Sequence, residues 1–110
     1  MEIRGGKRMS GYVKDVTPTE VNELLKSNKT ISIVDVRGPE EVAEGKIPGA
    51  YNLPVNELQE RMKELNKDTE HIIVCRSGGR SSMASMVLKS NGYSVLNMTG
   101  GMLEWTGETE

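Results

Sequence analysis

Short apolar runs alternate along this chain with segments of helical spacing. Residues 31–36, 71–75 and 95–98 are rich in isoleucine, valine and leucine, which is typical of strands buried on both faces of a sheet. Apolar residues recur every three or four positions over residues 54–65 and 83–88, which predicts amphipathic helices. Because alternating strands and helices form right-handed crossovers, we expect one α/β domain with a mostly parallel central sheet and helices on both faces.

Local signals add shorter elements to this framework. Thr17 followed by Pro18 is a typical helix start. Residues 39–44 are predicted to form a short acidic helix. Residues 12–16 alternate in the manner of a short edge strand, and residues 50–52 follow a turn as a brief strand.

Length and charge narrow the possible classes of function. The 110 residues are enough for one small domain with a modest core. We place that domain at residues 12–110 and interpret residues 1–11, which mix glycine with basic charge, as a flexible N-terminal segment. A net charge of −2 argues against a nucleic-acid partner. No apolar stretch approaches the roughly 18 residues of a membrane span, so we expect no membrane partner either.

The chain contains one cysteine and one histidine. A single cysteine cannot form an internal disulfide, so we expect a reducing compartment, the cytoplasm. The same two counts argue against a zinc site, since such sites usually need three or four nitrogen or sulfur ligands. We therefore expect neither a metal nor a cofactor.

The cysteine occupies the most informative position of the chain. Cys75 ends a predicted strand, and the segment Arg76-Ser77-Gly78-Gly79-Arg80-Ser81 follows it and opens into a helix. The carboxyl end of a buried strand and the amino end of a helix both favour anions in α/β folds. Gly78 and Gly79 permit positive φ values, so the backbone N–H groups of the loop can converge on one point. We predict that Cys75 is a reactive nucleophile held in this loop.

Such a loop would favour the thiolate, which is the nucleophilic form of cysteine. The backbone N–H groups, the positive end of the helix and the side chains of Arg76 and Arg80 should all lower the cysteine pKa. The bound oxyanion could be a phosphate ester, as in protein tyrosine phosphatases, or a sulfur donor such as thiosulfate. Phosphatase loops have five residues between the cysteine and the arginine, whereas Cys75 and Arg80 have four between them. The shorter loop favours a bound sulfur atom over a phosphoryl group.

Four segments in this order form a wider pattern. They are Val34-Asp35-Val36-Arg37, residues 45–54, Cys75-Arg76-Ser77-Gly78-Gly79-Arg80-Ser81, and Gly100-Gly101-Met102-Leu103-Glu104-Trp105. Together they resemble the rhodanese (thiosulfate sulfurtransferase) family in its single-domain form, over roughly residues 12–106. The second segment departs from the family at Lys46, where a histidine is common.

The resemblance implies a sulfurtransferase that carries sulfur as a persulfide on Cys75. The thiolate would take the outer sulfur of thiosulfate or a similar donor, and an external thiol, cyanide or a protein acceptor would remove it. The loop residues Arg76, Ser77, Gly78, Gly79, Arg80 and Ser81 would bind the donor and the persulfide. Asp35 and Arg37 would support the loop structurally.

Other conspicuous residues are interpreted as structural. His71 lies at the far end of the strand from Cys75, about five residues of roughly 3.3 Å each, so we expect a surface residue and not a catalytic partner. Met83 and Met86 have helical spacing and are expected in the core. Trp105 is expected to anchor the last segment against the sheet.

Two alternatives stay open. The chain could be a sulfur-carrier or persulfide-sensing module with little turnover of its own, because so small a domain has little beyond the loop to shape a pocket. It could also be a phosphatase or arsenate reductase on the same fold, although the loop spacing and the lack of an evident general acid argue against this.

Overall fold

Strands and helices alternate along the chain as the sequence predicts. The computed structural model describes residues 9–10, 13–27 and 29–110. The strands are β1 (Met9–Ser10), β2 (Val13–Val16), β3 (Ser32–Asp35), β4 (Tyr51–Asn52), β5 (Glu70–Val74) and β6 (Ser94–Met98). The α-helices are α1 (Pro18–Lys26), α2 (Pro39–Val42), α3 (Leu58–Arg61) and α4 (Gly79–Ser90). Three 3₁₀ turns accompany them, at Val55–Glu57, Met62–Glu64 and Gly101–Glu104.

The strands form one six-stranded sheet in the order β1-β2-β6-β5-β3-β4. Only the β1–β2 pair is antiparallel, and the other four pairs are parallel. In the centre, Ile73 of β5 pairs with Val34 of β3 on one side and with Asn97 of β6 on the other. The mostly parallel sheet is confirmed, and the residue that follows β5 lies at the middle of its carboxyl edge.

The two faces of the sheet have separate cores. One cluster of buried side chains contains Val34 and Ile73 together with residues of α3 and α4. The other contains Ile33 and Ile72 together with residues of α1. Because successive strand residues point to opposite faces, these clusters lie on opposite sides of the sheet. Helices therefore cover both faces, as predicted.

The first helix begins where the sequence places it. The N–H of Glu20 donates to the Thr17 hydroxyl at 3.1 Å, and the Glu20 carboxylate accepts the N–H of Thr17 at 2.9 Å. This reciprocal capping box, with Pro18 at the first helical turn, satisfies backbone donors that the helix itself leaves free.

The short elements differ from the prediction in three places. The strand β2 lies between β1 and β6, so its predicted edge position is wrong. The predicted helix over residues 54–65 is divided into a 3₁₀ turn, α3 and a second 3₁₀ turn, a tightening that is common at helix ends. The predicted helix over residues 39–44 is one turn, α2. Met9 and Ser10 form β1, while the rest of the predicted flexible segment 1–11, and Tyr12, lie outside the described residues.

His71 is not at the surface, contrary to prediction. It is 3% exposed. Its Nε2 donates to the carbonyl of Asn66 at 2.7 Å, and its Nδ1 accepts from the Ser32 hydroxyl at 2.6 Å. Both ring nitrogens thus have partners, which is what allows a polar ring to be buried.

The two methionines of α4 are also misplaced by the sequence prediction. Met83 and Met86 are 65% and 43% exposed. The buried residues of α4 are Ser81, Ala84, Ser85 and Leu88, whose spacing of three and four residues defines one helix face. Small side chains on this face let α4 lie close to the sheet. Trp105 is half-buried and packs against the cluster beneath α1.

Candidate active site

The loop after β5 holds the thiol at the carboxyl edge of the sheet. Cys75 is 1% exposed. Gly78 has a φ of +106°, a left-handed conformation that glycine adopts without strain, and it forms the N-cap of α4. Gly79 is the first residue of that helix. Of the two predicted flexible glycines, Gly78 is therefore the one that turns the chain.

The Cys75 sulfur has close polar neighbours within its own loop. The N–H of Gly78 donates to Sγ at 3.0 Å. The thiol is 3.3 Å from the Ser81 hydroxyl, which itself donates to the carbonyl of Gly78 at 3.2 Å. When the thiol loses its proton, the Ser81 hydroxyl can turn and donate to the sulfur instead. Ser81 is thus a direct neighbour of the Cys75 sulfur.

These contacts decide the direction of the Cys75 pKa shift. Burial raises the pKa of the thiol, because a charged sulfur loses hydration. Hydrogen bonds from the Ser81 hydroxyl and from the backbone N–H groups of Ser81, Gly78 and Ser77 lower it by more, so the pKa falls below its ordinary value. The largest lowering contributions therefore come from neutral donors fixed in the loop, and the positive charge of Arg80 also interacts with the thiolate.

The guanidinium of Arg80 is hydrogen-bonded to Glu41 and not to the sulfur. Its Nη1 and Nη2 donate to Oε1 and Oε2 of Glu41, both at 2.8 Å. Glu41 Oε1 also accepts the N–H of Gly38 at 3.0 Å. The hydrogen bond from Arg80, aided by that from Gly38 and opposed by partial burial, lowers the pKa of Glu41 to about 2.

Glu41 is a site residue that the sequence analysis missed. It lies on α2, directly after β3, and β3 is hydrogen-bonded to β5. The carboxyl ends of neighbouring parallel strands meet at the same edge, so α2 lies beside the cysteine loop. The sequence did contain a signal for this contact. An acidic helix follows one strand, and a loop that contains arginine follows the neighbouring strand of the sheet.

Asp35 and Arg37 form a buried pair beneath α2. Arg37 donates through Nη2 to Asp35 Oδ2 at 2.7 Å and through Nε to Oδ1 at 2.9 Å. Its Nη2 also donates to the carbonyl of Gly45 at 2.8 Å. The pair ties the end of β3 to the segment that follows α2, and neither residue contacts the sulfur through a described hydrogen bond.

The last 3₁₀ turn is hydrogen-bonded to the cysteine loop. Met102 N–H donates to the carbonyl of Cys75 at 2.8 Å, and Leu103 N–H donates to that of Arg76 at 2.9 Å. Gly101, with φ of +60°, makes the approach possible, since a Cβ there would lie 2.4 Å from the Arg76 carbonyl oxygen. The sequence identified this segment as part of the pattern, but only the fold shows it against Cys75.

A groove of about 280 Å³ lies beside the loop. Its lining residues are Arg37, Glu41, Glu44, Gly45, Arg76, Met102, Leu103 and Thr109. The predicted donor ligand Arg76 is exposed and belongs to this groove. The structure thus brings Cys75, Ser77, Gly78 and Ser81 together at the sulfur. Of the two arginines, Arg80 is hydrogen-bonded to Glu41 and Arg76 lines the groove.

In the described part of the chain, no three His, Cys, Asp or Glu side chains form a group that could hold a metal ion. None of the described helices has the length and apolar composition that a membrane span requires.

A thiol with a lowered pKa, held in a loop at the carboxyl edge of a parallel sheet, defines a class of α/β proteins with nucleophilic cysteine sites. The sequence model of the rhodanese-like domain family matches residues 17–108 of this chain. The chain therefore belongs to the rhodanese-like domain family.

Relatives support this assignment. The chain is 37% identical over 98 residues to a Bacillus subtilis protein named "Putative sulfurtransferase YtwF", covering 89% of this chain and 95% of that one. It is 35% identical to the B. subtilis "Putative sulfur carrier protein YrkF", covering 97% of this chain but only 60% of that one. A crystal structure of a rhodanese-like domain protein from Staphylococcus aureus has a TM-score of 0.83 at 36% identity, covering 87% and 95% of the two chains. The names of the two B. subtilis relatives refer to a sulfurtransferase and to a sulfur carrier.

Proposed function

We propose that the protein is a sulfurtransferase that moves sulfane sulfur through a persulfide on Cys75. The observation that carries the proposal is the sulfur's own surroundings. Gly78 N–H lies 3.0 Å from Sγ and the Ser81 hydroxyl 3.3 Å from it, and together with the N–H groups of Ser77 and Ser81 they lower the pKa of the thiol. Donors that stabilise a thiolate also stabilise a persulfide anion at the same position.

The first step loads the sulfur. The Cys75 thiolate attacks the outer sulfur of thiosulfate, a new S–S bond forms, and the bond between the two sulfurs of the donor breaks. Its electron pair leaves with sulfite, and the enzyme carries Cys75–S–S⁻. Arg76 and Arg80 would bind the anionic donor, with Arg80 held in place by Glu41.

The second step unloads it. An external thiolate or cyanide attacks the outer sulfur of the persulfide, and the bond to Cys75 Sγ breaks with its electron pair returning to that atom. The products are a persulfide of the acceptor, or thiocyanate, and the free Cys75 thiolate. Because the chain has no second cysteine to displace the sulfur, the acceptor comes from outside, and the kinetics are ping-pong.

Intact-mass measurement under non-reducing conditions tests the proposal. After incubation with thiosulfate, we expect the wild type to gain one sulfur atom and to lose it on addition of cyanide. Cys75→Ser should show no gain. If the wild type gains no mass, or if Cys75→Ser gains it equally, the persulfide mechanism is wrong.

A second candidate is a sulfur-carrier or persulfide-sensing module with little turnover. The name of the relative YrkF, a sulfur carrier, favours it. Such a module would accept one sulfur atom but transfer it slowly to small acceptors. Steady multiple turnover with thiosulfate and cyanide would exclude it, whereas a single loading without turnover would favour it over the enzyme.

The cytoplasm is the compartment that we propose, because a reactive thiol without a disulfide partner needs a reducing environment. We also retain residues 12–110 as the proposed domain. The acceptor is proposed to be a small molecule or a protein, with neither nucleic acid nor membrane as partner.

A further inference from the structure

The groove beside the cysteine loop presents one free positive and one free negative charge. Two of its charged side chains are already paired, Arg37 with Asp35 and Glu41 with Arg80. Within the described residues, Arg76 and Glu44 have no hydrogen bond or ion pair through their side chains, with each other or with any other group. Both are exposed and both line the groove.

The groove also has an apolar wall. Met102 and Leu103 line it, and Leu103 is 61% exposed. The backbone N–H groups of these two residues donate to the carbonyls of Cys75 and Arg76. The wall is therefore fixed to the loop that holds the nucleophile, and a ligand lying against it would be next to that loop.

From these features we infer that the groove binds an α-amino-acid thiol, with its carboxylate on Arg76, its ammonium on Glu44 and its methylene against Leu103. The inference rests on the proposed function, because it identifies the acceptor of the Cys75 persulfide. The acceptor thiolate attacks the outer sulfur, the S–S bond to Cys75 breaks, and the electron pair returns to Sγ. The product is the persulfide of the amino acid, and no external oxidant or reductant is consumed.

Charge balance favours such a zwitterion over a dianion. The charged side chains around the groove sum to zero. Two positive charges are paired with Asp35 and Glu41, and the free charges of Arg76 and Glu44 are opposite in sign. A dianionic acceptor that reached both free side chains would be attracted by Arg76 but repelled by Glu44, whereas the donor thiosulfate needs only the arginines and the loop. A zwitterion can place one charge on each free partner, and both hydrogen bonds would be charge-assisted.

The first test compares three acceptors on persulfide-loaded wild type. They are L-cysteine, N-acetyl-L-cysteine, which lacks the ammonium, and cysteamine, which lacks the carboxylate, at equal thiolate concentrations. We expect kcat/KM for L-cysteine to be about tenfold higher than for either analogue, because each analogue lacks one charge-assisted hydrogen bond. Equal values for the three thiols, with cyanide still accepted, would overturn the inference and leave the proposed function intact.

Glu44→Gln tests the assignment to a residue. This variant should lose the preference for L-cysteine over N-acetyl-L-cysteine. Glu60→Gln, which removes the same charge from an exposed position on α3 outside the groove, should retain it. An unchanged preference in Glu44→Gln, or equal losses in both variants, would contradict the proposed ammonium site.

A binding measurement decides the inference even if no persulfide forms. Cys75→Ser is titrated with reduced L-cysteine and with N-acetyl-L-cysteine, and backbone amide shifts are followed by NMR. We expect saturable shifts at Glu44, Arg76 and Leu103 with L-cysteine, and binding about tenfold weaker for the acetylated analogue. No saturable shifts, or the same shifts for both ligands, would overturn the inference independently of the catalytic mechanism.

Discussion

Arg80 and Glu41 are joined by two parallel hydrogen bonds of 2.8 Å, Nη1 to Oε1 and Nη2 to Oε2. The pair links α4, which begins in the cysteine loop, to α2, which follows the neighbouring strand β3. A planar guanidinium that meets a carboxylate at two points is fixed in orientation as well as in position. The arginine of the loop is thus held by an acidic residue 39 positions earlier in the chain.

Replacing Glu41 should change how stability depends on pH. The pKa of Glu41 falls from 4.5 to about 2 because Arg80 favours its charged form. A lowered folded-state pKa means that the stabilisation is complete above about pH 4.5 and is lost as the pH falls towards 2. Since the pair is partly exposed and screened by solvent, we expect it to contribute about 1 kcal/mol at pH 7.

Urea unfolding of wild type and Glu41→Gln at pH 7 and at pH 2.5 measures this contribution. The difference in the free energy of unfolding should shrink at the lower pH. Glu40→Gln, on the exposed neighbour in α2, is the matched control and should change stability little at either pH. A difference between wild type and Glu41→Gln that is the same at both pH values would show that the ion pair does not stabilise the fold.

Removing the Ser81 hydroxyl should raise the pKa of the Cys75 thiol. That hydroxyl is the strongest of the donors that lower this pKa. Ser81→Ala should therefore leave less thiolate at pH 7 and slow alkylation by iodoacetamide several-fold, with the midpoint of the pH–rate profile shifted upward. The measurement is the alkylation rate from pH 5 to 10. Ser90→Ala, at the exposed far end of α4, should follow the wild-type profile, and an unshifted profile in Ser81→Ala would refute the assignment.

A side chain at Gly101 should disturb the cysteine loop directly. Gly101 has φ of +60°, and an added Cβ would lie 2.4 Å from the Arg76 carbonyl oxygen and 2.6 Å from that of Cys75. We expect Gly101→Ala to destabilise the fold by about 3 kcal/mol, the sum of left-handed strain and steric displacement, and to slow sulfur loading. Gly49→Ala separates the two effects, because Gly49 has φ of +81° but open space around its Cβ position. Gly49→Ala should lose only about 1 kcal/mol of stability, from the left-handed strain alone. Equal losses of stability in both variants would contradict the steric argument.

Sequence patterns predicted the elements better than they predicted which side chains are buried. The parallel sheet followed from alternation, and the start of α1 from Thr17 and Pro18, because these signals act within a few residues. The burial of His71 did not follow, since it depends on Ser32, which lies 39 positions away, and on the carbonyl of Asn66. Met83 and Met86 have the spacing of a core face, but α4 turns its small residues to the sheet instead.

The sequence by itself determined the α/β class, the place of Cys75 between a strand and a helix, and the glycine-containing loop that joins them. All of these depend on local preferences: apolar periodicity, the conformational freedom of glycine and the order of segments along the chain. Only the tertiary structure decided that Arg80 binds Glu41, that Met102 and Leu103 cover the loop carbonyls, and that Arg76 and Glu44 line one groove. These contacts join residues from different strand ends, and the parallel sheet brings them together because its carboxyl ends share one edge.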